Sequence, residues 1–124
     1  MLTALKYTFP FTHEQAVATL TEVPWDKEAL RSITDGGVVV LHHTLGAEIR
    51  SVWGLADRSW PLNRHYRARF GIGSSDDMSQ LILQDFVAQL RGGASKFNVE
   101  HEVMWLKKHW MDQGVDPLTL QRTM

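Results

Sequence analysis

Apolar residues recur every three or four positions along most of this chain, the spacing of a helix that buries one face. Between about 37 and 53, Val38, Leu41, Leu45, Ile49 and Val52 fall on one side of a helix, with Trp53 at its edge. The run Val38–Leu41 alone also suits a strand, but the later three-and-four spacing favours a helix. Met78, Ile82, Phe86 and Leu90, flanked by Leu83 and Val87, give a wider stripe over about 76–91. A stripe that wide predicts the central helix of the fold. Val99, Val103, Leu106 and Trp110 predict a last helix over about 96–113. Two shorter helices are expected before these. One, over about 12–22, carries Ala16, Val17 and Leu20, and the other, over about 26–34, carries Ala29, Leu30 and Ile33.

The polar positions punctuate this pattern. Thr12 and Gln15 have capping-box spacing, and Asp26 suits a helix N-cap. Ser74 or Ser75 caps the fourth helix, with Asp76 and Asp77 in its first turn, where the helix dipole favours negative charge. Pro24 and Asp35-Gly36-Gly37 read as breaks. Gly54, Gly92-Gly93 and Gly114 read as helix ends. Residues 54–74, broken by Pro61, Asn63, Gly71 and Gly73, predict a long connection with room for a helical turn near 62–69. The tail after Asp116-Pro117 is expected to add one or two helical turns. The expected fold is thus all-α: one domain over 1–124, a bundle of about five helices, with a long basic loop between the third and fourth.

Composition narrows the chemistry. A chain of 124 residues suffices for one core and needs no metal or disulfide staple. It has no cysteine, which excludes disulfides, thiol catalysis and thiolate zinc sites. That suits a reducing compartment, and a cytoplasmic location is the expectation. No apolar run approaches the roughly 20 residues of a membrane-spanning helix, and MLTALKYTFPF lacks the pattern of a signal peptide. Neither a membrane nor a cofactor is expected. The net charge is −1, but it is unevenly spread. Arg50, Arg58, Arg64, Arg67 and Arg69 face Asp57 alone within 50–70, a local +4 that leaves −5 elsewhere. Such asymmetry can mark an interaction surface.

Leu41-His42-His43-Thr44-Leu45-Gly46, then Ile49-Arg50 and Trp53-Gly54-Leu55, then Ser75-Asp76-Asp77-Met78-Ser79 form a set of spaced motifs. With the alanine- and leucine-rich first helix, they resemble an uncharacterised family of domains of unknown function found in bacteria and their phages. The resemblance covers about 12–92; residues 93–124 supply a C-terminal helix and tail. It implies a fold and no activity. The chain departs from the family pattern at three places. Ser51 stands for an asparagine, Ala56 for a second tryptophan, and Gly73-Ser74-Ser75 for a segment holding a histidine-proline pair.

Four sets of residues could carry function. His42 falls on the apolar side of its helix and suits a core histidine with one buried hydrogen bond. His43, Gly46 and Arg50 lie on one strip and could line a groove, although Gly46 could equally serve only tight helix packing. Arg50 could pair with Asp76 or Asp77, and His43, Arg50, Asp76 and Asp77 together would suit acid–base work on an anion. The two aspartates could also merely cap a helix. Metal binding is not expected, because none of the six histidines has paired metal-ligand spacing along a helix.

The segment RSWPLNRHYRARF places Arg58, Arg64, Arg67 and Arg69 among Trp60, Tyr66 and Phe70. Arginines hold phosphates or carboxylates, and rings stack on unpaired bases. This segment, with Tyr66, is the expected contact with an acidic protein partner, and nucleic acid is the alternative. On the last helix, Phe97, Met104, Trp105 and Met111 lie off the core stripe and suit a homodimer face, unless the tail residues Val115, Leu118 and Leu120 cover them. A non-enzymatic interaction protein is the leading expectation.

Overall fold

A computed structural model describes residues 9–23, 26–31, 34–92 and 97–123. Six helices fill most of them: α1 His13–Glu22, α2 Lys27–Arg31, α3 Asp35–Val52, α4 Pro61–Phe70, α5 Ser75–Leu90 and α6 Val99–Asp112. Strand pairing among the described residues is limited to an isolated bridge between Val115 and Arg122. The all-α expectation holds, and the strand alternative for Val38–Leu41 does not.

The wide stripe on α5 does what its width implies. Met78, Leu81, Ile82, Leu83, Phe86 and Val87 are all buried, and α5 touches every other helix, most extensively α3. Trp53, Tyr66 and Phe86 are the largest fully buried side chains. Capping follows the sequence closely, since a cap needs only near neighbours. Thr12 accepts from Gln15 N–H, Asp26 from Ala29 N–H, and Ser74 from Asp77 N–H. Asn98 accepts from His101 N–H and starts α6.

Three expectations fail. Asp35-Gly36-Gly37 does not break the chain. Thr34 caps a helix that already begins at Asp35, by accepting from Gly37 N–H. The expected connection has its helical turn near 62–69, but as the ten-residue helix α4 and not as a turn within a long loop. Pro61 stands in its first turn, where its missing N–H costs nothing, and Leu62, Tyr66 and Phe70 recur at fourfold spacing on the buried side. The tail forms no helical turn that continues. It folds as a tight loop in which Asp116 O accepts from Leu120 N–H at 2.7 Å. Ile33, expected in the second helix, lies outside the described residues.

The Trp53-Gly54-Leu55 motif is the junction that turns α3 into α4. Trp53 ends α3 inside the core. Gly54 takes φ +63, and Leu55 N–H then reaches back to Arg50 O at 3.1 Å, closing a Schellman-type end. Leu55 O accepts in turn from the Asn63 amide at 2.7 Å. One short segment thereby fixes the direction of α4 relative to α3.

Candidate functional site

The arginine-bearing segment is where local charge and tertiary placement meet. As a helix, α4 presents its residues on opposite sides. Leu62, Asn63, Tyr66 and Phe70 turn inward, so Arg64 projects outward and Arg67 is left half-buried at the margin. Arg58 precedes α4 and is exposed. Among the described residues, none of Arg58, Arg64 and Arg67 makes an ion pair with an acid.

Arg69 is different. Its Nη1 donates to both oxygens of Glu14 at 2.7 and 2.8 Å, and its Nη2 donates to Glu100 at 2.9 Å. Its guanidinium also sits 4.5 Å from the centre of the Phe70 ring. Hydrogen bonding to both acids raises its pKa, with burial opposing. Arg69 therefore ties α1, α4 and α6 together and is spent as a partner contact. Tyr66 is also withdrawn from the expected contact set, since it is fully buried. The connector's rings turn inward because four-residue spacing on a helix points them all to the core. Phe70 is buried as well, and Trp60 packs over Gly54.

Tyr66 belongs to a network that sequence reasoning missed. His13 is fully buried at the start of α1. Its Nδ1 lies 2.6 Å from the Tyr66 hydroxyl and its Nε2 lies 2.7 Å from Asp85 Oδ2. Burial pushes the Tyr66 phenol well above its ordinary range, so the hydroxyl keeps its proton and is able to donate to Nδ1. The consistent tautomer then carries its proton on Nε2 and donates to Asp85. Gln89 donates to the other Asp85 oxygen at 3.1 Å. This chain of bonds joins α1, α4 and α5. His13 has no exposed surface, so the network is architecture. His13 lies 53 positions from Tyr66 and 72 from Asp85, and no local pattern announces such a pairing.

The histidine strip is rearranged. It is His42, not His43, that turns its ring toward Gly46 and Arg50: a Cβ at Gly46 would stand 3.5 Å from His42 Nδ1 and 3.1 Å from Arg50 Nη1. His43 is exposed, its ring centre 5.6 Å from that of His42. A side chain at Gly46 would stand 3.4 Å from Leu83 of α5 and 3.1 Å from the Arg50 guanidinium. The glycine thus permits close packing, and the groove expected for His43, Gly46 and Arg50 is filled. Nor does His42 form its expected buried bond: its Nδ1 is buried with no partner. Burial and the nearby Arg50 charge hold its imidazole below the usual histidine range.

Arg50 donates to Ser79 Oγ at 2.8 Å and approaches Asp76 at 3.4 Å, which links the two motifs as expected. Asp77 faces elsewhere, accepting from the Trp110 indole N–H at 2.7 Å. His43, Arg50, Asp76 and Asp77 therefore do not converge on one point. Among the described residues no group of three or more acids and histidines is placed to hold a metal ion.

Asp77 yields a pH prediction. Burial raises its pKa, and the Trp110 bond only partly opposes this. The folded chain thus keeps the Asp77 proton to higher pH than the unfolded chain does. That contribution is complete below the ordinary carboxylate range and is lost as pH rises through the folded value. Asp77→Asn keeps an acceptor for Trp110 and removes the buried charge. It should match or exceed the parent's stability at neutral pH and flatten this part of the pH profile in urea unfolding. Asp77→Leu orphans the indole N–H and should cost about 1–3 kcal/mol. Equal losses for both variants would contradict the assignment.

On α6, Met104 and Trp105 are 69% and 64% exposed, and Met111 is exposed beside them. Lys107, Lys108 and His101 border this face. The tail does not cover it. Pro117 O instead accepts from Gly73 N–H. Phe97, expected on the same face, packs against the core. No described helix is long and apolar enough to cross a membrane.

A family model described as a domain of unknown function, DUF6794, matches residues 9–90. No curated protein and no solved structure matches the chain.

Proposed function

The chain belongs to the DUF6794 family of unknown function, and we propose that it is a non-enzymatic interaction protein whose arginine surface docks on an acidic protein partner. The observation that supports this is the division of labour among the arginines. Arg69 and Arg50 are engaged by the protein's own acids. Among the described residues, Arg58, Arg64 and Arg67 make no ion pair with an acid. Arg64 and Arg67 stand on a helix, where they lose less freedom on binding than arginines on a loop, which favours a specific contact. The small size, together with the bacterial and phage distribution that the sequence resemblance implies, supports a phage-borne modulator of a host protein, working in the cytoplasm.

Nucleic acid is the weaker reading. The aromatic half of that expectation needs rings that can stack on bases, and Tyr66 and Phe70 are buried. The exposed Met104, Trp105 and Met111 face supports a second contact, between copies of the chain.

Charge reversal separates these readings. Arg58→Glu with Arg64→Glu should abolish retention of a defined host protein by the immobilised chain and leave helicity unchanged. Trp105→Ala should leave retention intact and lower the solution mass measured by light scattering. A partner retained equally by the reversed variant would remove the arginine surface. A salt-sensitive gel shift with DNA or RNA, lost on reversal, would favour nucleic acid instead. An unchanged mass for Trp105→Ala would remove the self-association.

A further inference from the structure

We propose that the cleft between α4 and the C-terminal tail binds a small oxyanion that carries a hydrogen-bond donor beside its charge. The cleft encloses about 290 Å³. Arg58, Asn63 and Arg67 line one side, and Gly73 with residues 118–121 lines the other.

The wall formed by the tail is built into the fold. Gly73 N–H donates to Pro117 O at 2.9 Å. A Cβ at position 73 would lie 1.9 Å from Leu118 O, so only glycine lets the tail close this far. The tail is also held from within. Asp116 Oδ1 accepts from Leu118 N–H at 2.8 Å, and Asp116 N–H donates to Gln121 O at 2.8 Å. This loop keeps Leu120 at φ 62, a left-handed conformation that leucine rarely adopts. Such strain persists only where surrounding bonds impose it, and it concentrates at ligand sites.

The chemistry of the cleft is two-sided. Arg58 and Arg67 offer planar guanidinium groups, the geometry that holds a carboxylate or phosphate. Among the described residues, neither nearby acid forms an ion pair with them. Asp57 is engaged by Ser59 through both its N–H and its hydroxyl, and Asp116 by the tail amides. Asn63 supplies the opposite polarity. It is 2% exposed. Its amide nitrogen is spent on Leu55 O, which fixes the orientation of the group, and its Oδ1 has no partner. Buried acceptors are ordinarily satisfied. A ligand that places an anion against the arginines and an N–H or O–H against Asn63 would pair the guanidinium groups and the unpartnered Asn63 Oδ1 together. An acylated amino acid, a peptide C-terminus and a phosphate ester in its monoprotonated form all have this character.

The cleft shares Arg58 and Arg67 with the proposed docking surface, and Arg64, which does not line the cleft, tells the two apart. The full chain, labelled with nitrogen-15, is titrated with N-acetylalanine, inorganic phosphate and acetate while the amides of Asn63, Gly73 and residues 118–121 are followed. N-acetylalanine, phosphate or both should give saturable shifts confined to these groups. Acetate, which has no donor beside its charge, should bind at least about tenfold more weakly, as should the favoured probe to Arg58→Gln or Arg67→Gln, since one good contact is worth about that factor. Arg64→Gln should leave binding unchanged. Saturation by N-acetylalanine alone assigns a carboxylate, and saturation by phosphate alone assigns a phosphate. Shifts that never saturate, acetate binding as tight as the other probes, or full binding by Arg67→Gln would overturn the proposal.

Discussion

His13→Ala should lower the unfolding free energy by about 3–5 kcal/mol, from a cavity and two stranded polar partners. The imidazole is fully buried and bonded at both nitrogens. Removing it leaves the Tyr66 hydroxyl without an acceptor and Asp85 without its bond from α1. Phe70 and Tyr66 also lose the ring they pack against edge-on. Domains of this size are stable by only about 5–15 kcal/mol, so the loss is a large share of the whole. Urea unfolding followed by circular dichroism measures it. Two variants show which bond matters. Asp85→Asn retains an acceptor for Nε2–H and should cost about 1 kcal/mol or less. Tyr66→Phe leaves Nδ1 unpaired and should cost about 1–2 kcal/mol. A His13→Ala loss below about 1 kcal/mol would mean that the network contributes little to holding α1.

Gly54→Ala should be nearly as damaging, at about 2–5 kcal/mol, from a disfavoured backbone and an overpacked contact. Two costs add at this position. Gly54 adopts φ +63, and a Cβ there would stand 2.2 Å from the Trp60 ring. Trp60 cannot retreat freely, because its backbone starts α4 and its ring meets Phe9 at 5.9 Å between centroids. Gly114 provides the internal control. Its φ of +73 is similar, but no atom lies within 4 Å of where a Cβ would stand. Gly114→Ala should therefore cost only the backbone part, about 1–2 kcal/mol. Thermal unfolding of the two variants side by side measures the Trp60 contact as their difference. Equal losses would show that Trp60 moves aside without penalty. A large difference would make Trp53-Gly54-Leu55 a packing motif that sets the α3–α4 angle.

The α4 segment shows why some elements escape a linear reading. Its start and stop signals, Pro61 in the first turn and Gly71 after the last, are present in the chain and suit a helix. They resemble the punctuation of a loop because six of the ten residues from Pro61 to Phe70 are polar or proline. The apolar series Leu62, Tyr66 and Phe70 has one member per turn, too thin a stripe to stand out. The charges invited a reading as one exposed basic surface. Packing divided that surface, leaving Arg58 and Arg64 outward, seating Arg67 beside the tail and binding Arg69 to Glu14 and Glu100.

What the sequence determined by itself were the features that depend on residues within a turn or two of one another. These are the helical period, the caps at Thr12, Asp26 and Ser74, and the breadth of the α5 stripe that made it the centre of the fold. Such features are set by backbone geometry and short-range hydrogen bonds, which act wherever the chain goes. Only the tertiary structure decided that His13, Tyr66 and Asp85 form one network, that Asp77 accepts from Trp110, and that the tail closes a cleft against Gly73. Those outcomes depend on which distant surfaces are pressed together, and burial then fixes which polar groups must pair and which remain available.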